Sequence, residues 1–204
     1  MEMIDIYDEN GNHIGVEDRK IVHEKGIWHK TVHCWLYDKE GNIYFQIRHD
    51  RKTFYTTASG HLAAGETVNE GFKREIKEEI GLDIDTSDAI KVGIVPFKMD
   101  MVKKDGSIFK DRAFANVYLD EFEGSYSDLK LDPEELDGLV KVNAKEALEL
   151  FTKNEGTINA SIITENSVND KVCNINEFLI NDGETYLEKY GDVLKKVIEI
   201  TGKE

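Results

Sequence analysis

The stretch GHLAAGETVNEGFKREIKEEIGL, residues 60–82, constrains this chain more tightly than any other. Thr67 followed three positions later by Glu70 is a capping-box start and Gly81 is a natural stop, so the spacing predicts a helix over residues 68–80. Val68, Phe72, Ile76 and Ile80 recur every four positions and lay one narrow apolar stripe against a core. Another face gathers Glu75, Glu78 and Glu79 at helical spacing, where the three carboxylates repel one another. Arg74 can pair with Glu78 and reach Glu66 or Glu70, but one guanidinium does not neutralise that many anions. Lys73 and Lys77 allow the reading of a merely solvated face. The competing reading is a missing cation, because hard divalent ions take oxygen ligands, and Mg²⁺ is commonly held by a few carboxylates together with water and substrate phosphates.

The full pattern is G-x5-E-x7-R-E-(aliphatic)-x-E-E-x-G-(aliphatic), filled at Gly60, Glu66, Arg74, Glu75, Ile76, Glu78, Glu79, Gly81 and Leu82. On these residues the chain resembles the Nudix hydrolase family. That resemblance implies a loop-helix-loop holding Mg²⁺ or Mn²⁺ and cleavage of a diphosphate linkage in a nucleoside diphosphate joined to another group. Glu75, Glu78 and Glu79 would hold metal, aided by the backbone carbonyl of Ser59, and Arg74 would orient the carboxylates. A general base on another loop is expected in this family, and LDPEELDG offers Glu134 and Glu135, with Glu135 the candidate.

Outer bounds come from composition. With 204 residues, 40% of them hydrophobic, the chain can bury one good core with room for an added element. A net charge of −15 argues against a nucleic-acid partner, whose phosphates are met by Lys and Arg. A small anionic diphosphate therefore needs local help from metal and a few basic residues. Two cysteines, Cys34 and Cys173, lack metal-site spacing and are too few for a disulfide framework, which suits a reducing cytoplasm. No apolar run is long enough for a targeting or membrane segment, so a cytoplasmic enzyme is expected.

Turn cues at YDENGNHI and YDKEGNIY predict hairpins, the second pairing residues 33–37 with 43–48. Further strands are expected at 91–99 and 108–119, joined through KKDGS, and at 139–142, leading into a helix from Asn143 to about Phe151. Together they predict an α/β fold, a Nudix-type α/β/α sandwich with a mixed sheet over residues 1–155. Polar, small residues at 152–161 read as a linker to a helical C-terminal extension, 156–204. There Tyr186, Leu187, Tyr190, Val193, Leu194, Val197 and Ile198 keep helical spacing, for packing on the same domain, a homodimer contact or a lid.

In QIRHDRK, Gln46 and Arg48 end a strand while Arg51 and Lys52 start the next loop, four polar groups able to grip phosphate oxygens. Within the family, DIYDENG, WHKTVHCWLYD and TTASGH are similar to the branch containing isopentenyl diphosphate isomerase and its hydrolase relatives. The isomerase has a cysteine where this chain has Ser59, and a metal held by histidines matching His23, His29 and His61 with two glutamates further on. Here the corresponding strand reads Ile108-Phe109-Lys110-Asp111 and leaves only Asp111. The histidines are therefore open to two readings, a second metal site or packing. An isomerase-like enzyme and a non-catalytic nucleotide-binding module stand as alternatives to hydrolysis.

Overall fold

Alternation along one strand divides the interior in two. In β3 (His29–Tyr37) the side chains of Val32, Cys34 and Leu36 point into one core with Phe72, Ile76 and Ile80 of α2 (Val68–Ile80). Trp35 and Tyr37 point into the other, with residues of α3 (Ala144–Lys153) and α4 (Tyr186–Thr201). Successive strand side chains face opposite sides of a sheet, so β3 is covered on both. The computed structural model describes residues 2–50, 52–103, 105–164, 167–178 and 186–203, and side chains in all of these but 186–188.

Among the described residues the main sheet has nine strands. Its path runs β11 (Ser167–Asn174), β10 (Thr157–Thr164), β9 (Leu136–Asn143), β4 (Asn42–Arg48), β3, β8 (Ile108–Glu121) and β7 (Ile90–Val102). The short strands β5 (Phe54–Tyr55) and β6 (Ala58–His61) pair with β4 and β3. β3 and β8 run parallel and the other pairs antiparallel, so the sheet is mixed, and with helices on both faces this is the expected α/β/α sandwich. A separate hairpin, β1 (Met3–Tyr7) with β2 (His13–Asp18), forms at the first turn cue.

Helix α2 has the limits its sequence signals require. Thr67 accepts from the Glu70 N–H, the Glu70 carboxylate accepts from the Thr67 N–H, and Gly81 closes the helix at φ 77°. Asn143 caps α3 by accepting from Lys145 and Glu146. Two segments depart from expectation. Residues 152–161 are not a linker: they end α3 and begin β10, which pairs with both β9 and β11. Residues 156–204 accordingly contain a hairpin as well as a helix. A further short helix, α1 (Arg19–Lys25), was not anticipated; Asp18 caps it and Gly26 ends it at φ 68°. No helix among the described residues is long and apolar enough to cross a membrane.

Candidate active site

Register places the site. Across the β3–β6 pair Thr31 stands opposite His61 and His33 opposite Ser59. Helix α2 comes so close to β6 that a Cβ on Gly60 would lie 1.9 Å from Cδ of Glu75, an approach that only glycine admits. Arg74 ties the carboxylates together: Nε and Nη2 each reach an oxygen of Glu66 at 2.8 Å, and Nη1 reaches Glu75 at 2.7 Å and Glu78 at 3.2 Å. Nη2 also donates to the carbonyl of His61 at 3.0 Å, so the helix is locked to β6. Paired this way, the guanidinium holds the Glu66 carboxyl below its ordinary pKa.

Glu79 is only 7% exposed. Its Oε2 accepts from the Ser59 N–H at 3.0 Å and the Gln46 amide at 3.4 Å. Burial pushes its pKa up to about 8; the Ser59 N–H opposes the shift, and the charges of Glu75 and Glu135 add to it. Burial also raises Glu75. Burial, which disfavours the charged form, leads at both, while Arg48 at Glu79 and Arg74 at Glu75 pull the other way.

These groups open on a cavity of about 340 Å³. Glu75, Glu78, Glu79 and Glu135 line it, joined by Asp111 and Asp132, against the guanidiniums of Arg19 and Arg48. Of the other expected residues, Gln46 and Ser59 also line it, while Arg74 stands behind the carboxylates it binds. Arg48 is held by a two-pronged ion pair to Asp50 at 2.9 and 3.0 Å. Lys52 is not brought in; its ammonium meets Asp137, which His49 also engages. Arg51 lies outside the described residues. Asp132, Arg19, Thr31, His33 and Tyr55 were missed by sequence reasoning. Asp132 alone carried a signal, three residues before Glu135 on the same loop.

Beside the carboxylates lies a histidine cluster. Ligand atoms of His23, His29 and His61 all fall within 4.8 Å of one another. His23 and His61 approach Nε2 to Nε2 at 3.0 Å, whereas the Nδ1 atoms of His23 and His29 are each 3.2 Å from a backbone carbonyl, of Lys110 and Ile27. Carbonyls at the rear nitrogens fix the rings with Nε2 forward, a common arrangement behind metal-binding imidazoles. His29 Nε2 and Asp111 Oδ1 stand 3.4 Å apart, both buried and without a hydrogen-bond partner. Burial pushes His23 and His29 down to about 4 and His61 well below its usual value, so the rings are neutral, the form that binds metal.

Comparison with known proteins agrees with the site. Residues 27–161 match the NUDIX domain family. An uncharacterized Nudix hydrolase of Clostridium acetobutylicum is 36% identical over 153 residues, covering 71% of this chain and 71% of its own length. Isopentenyl-diphosphate Delta-isomerase 2 of Photorhabdus laumondii is 28% identical over 87 residues, 40% of this chain and 49% of the isomerase. Among solved structures, DR0079 from Deinococcus radiodurans superposes with a TM-score of 0.53 at 17% identity, over 74% of this chain and 90% of that one, a likeness of fold alone. With the arginine-bound carboxylates of α2 at a cavity and the family match spanning both, the chain belongs to the NUDIX family and is a Nudix hydrolase.

Proposed function

We propose that this enzyme hydrolyses a diphosphate linkage in a nucleoside diphosphate-X or related small diphosphate, with Mg²⁺ or Mn²⁺ as cofactor. The observation carrying this reading is the convergence of Glu75, Glu78 and Glu79 on one cavity, Glu79 pushed up to about 8 by burial among like charges. An all-oxygen donor set of clustered carboxylates fits a hard divalent ion. Glu75, Glu78, Glu79 and the Ser59 carbonyl would hold it. When bound, such an ion polarises phosphoryl oxygens and makes water easier to deprotonate.

The chain's own groups do the rest. Arg74 keeps Glu75 and Glu78 aimed at the cavity, and the Ser59 N–H and the Gln46 amide fix Glu79. Arg48 and Arg19 bind substrate oxygens. Glu135 takes the proton from the attacking water, with Asp132 beside it on the same loop. Lys52 has no part in this reading because it is turned to Asp137. Residues 1–155 form the catalytic unit, and the partner is a small molecule in the cytoplasm rather than nucleic acid.

One observation favours a second reading: the three histidines and Asp111 could hold another metal, as in the isomerase branch. A screen of diphosphate compounds with Mg²⁺ or Mn²⁺, reading released phosphate or nucleotide, tests hydrolysis. Metal-dependent release is expected, and tight nucleotide binding without product would leave a binding module instead. Ser59 stands where the isomerase has cysteine, and a hydroxyl without an activating base is a far weaker acid than a thiol. Deuterium uptake from heavy water into isopentenyl diphosphate is therefore expected to be absent. Its detection would put isomerisation first.

A further inference from the structure

Behind the cavity stands a residue from outside residues 27–161. Tyr190 of α4 is buried, and its hydroxyl lies 3.2 Å from Nδ1 of His33 and 3.4 Å from the hydroxyl of Tyr55. His33 and Tyr55 line the cavity. The Tyr190 ring is set by Trp35, edge to face at 5.4 Å, and the next residue along the helix, Lys189, places its ammonium 4.0 Å from the ring of Phe97, which also lines the cavity. The register of α4 against the site is therefore fixed from two sides.

A neutral imidazole has one N–H and one lone pair, and the partner of one nitrogen decides the state of the other. His33 is buried, and the partner of its Nδ1 is a hydroxyl rather than a carboxylate. Either hydroxyl of the Tyr55–Tyr190 pair can donate to the other; where Tyr190 in turn donates to Nδ1 of a neutral His33, the imidazole proton sits on Nε2. Opposite His33 in the β-ladder is Ser59, whose N–H holds Glu79, and directly paired residues share a sheet face. Because His33 lines the same cavity as Glu75, Glu78 and Glu79, the Nε2–H tautomer would offer a donor beside those carboxylates. Beside the two guanidiniums of the cavity, an uncharged N–H adds a donor that the six lining carboxylates attract less strongly. The opposite tautomer would present a lone pair, which repels a phosphate or hydroxyl oxygen.

We propose that Tyr190 is a positioning residue that holds His33 as the Nε2–H tautomer, giving the cavity an uncharged hydrogen-bond donor for a phosphate or sugar oxygen of the substrate. The donor's use rests on the hydrolase reading; the tautomer does not.

The test is Tyr190→Phe, which removes one hydroxyl and keeps the ring, examined by two independent readouts. Long-range ¹H–¹⁵N spectra of the metal-free protein should show His33 protonated at Nε2 in the wild type and a tautomer mixture in Tyr190→Phe. With ADP-ribose and Mg²⁺ as the assayed probe, KM should rise about five- to tenfold while kcat stays within twofold, the signature of lost uniform binding. His33→Gln, whose amide can donate from a similar place, should keep KM closer to wild type than His33→Leu. A wild-type His33 protonated at Nδ1, or one whose tautomer ignores Tyr190→Phe, overturns the proposal. So does a fall in kcat with KM unchanged. If ADP-ribose and every other diphosphate resist cleavage while the spectra behave as expected, the hydrolase reading fails and the tautomer stands.

Discussion

At the scale of single residues, one hydrogen atom decides how near β6 and α2 come. Gly60→Ala would drive a methyl group into the Glu75 carboxylate, so either the helix shifts or Glu75 swings away. We expect a loss of about 1–3 kcal/mol in stability, typical of overpacking, with turnover falling at least a hundredfold. A melt and a single-substrate assay check both. Glu79→Gln separates chemistry from folding more cleanly. The apolar stripe of α2 is untouched and a carboxyl that burial pushes up to about 8 is replaced by a neutral group of the same shape, so the melting temperature of the metal-free variant should not fall. Turnover should drop at least a hundredfold, or ~2.7 kcal/mol in the barrier. A rate within about tenfold of wild type contradicts the role given to Glu79.

At the scale of elements, α2 was legible because everything that defines it is local: a cap, a stripe and a stop within one short stretch. Strand β10 was not: exposed Thr157 and Asn159 do alternate with buried Ile158 and Ala160, but that short alternation lies among small and polar residues that read as a loop. The α2 carboxylates were legible for the same local reason, whereas Thr31, His33 and Tyr55 reach the cavity only through cross-strand register, which no window of sequence contains. Lys52 shows the converse, a basic residue close to the site in sequence whose ammonium meets Asp137. At the end of β8, Asp120 makes an element-level prediction. Burial raises its pKa to about 6, with Asp88 and Glu121 adding like charge. The folded protein therefore holds a proton more tightly than the unfolded chain, and stability contributed by the protonated form is lost as pH rises from about 4 to about 6. Asp120→Asn should stabilise the protein at pH 7 by on the order of 1–2 kcal/mol and flatten its stability between pH 4 and 6. Denaturant melts across that range measure it, and a variant less stable than wild type at pH 7 would contradict the assignment.

At the scale of the whole molecule, α4 is part of the interior. Tyr190, Val193, Leu194 and Val197 share a core with β3, β4 and α3. Val197, fully buried, should cost about 2 kcal/mol when changed to Ala, and a chain ending at residue 185 should melt well below the full protein or fall out of solution. An unchanged melting temperature would detach α4 from the fold. The same architecture bears on how the protein is made. β3 pairs in parallel with β8, and the hydrogen bond from Tyr190 to His33 bridges 157 positions of sequence. A nascent chain emerging from the ribosome therefore holds β3 ready long before β8 and α4 exist. Folding dominated by such distant pairings is slow and leaves unpaired strands open to aggregation in the meantime. Catalytic competence should consequently appear late in refolding, after helical signal has largely recovered, and heterologous yield should respond to synthesis rate and chaperone supply more than to equilibrium stability.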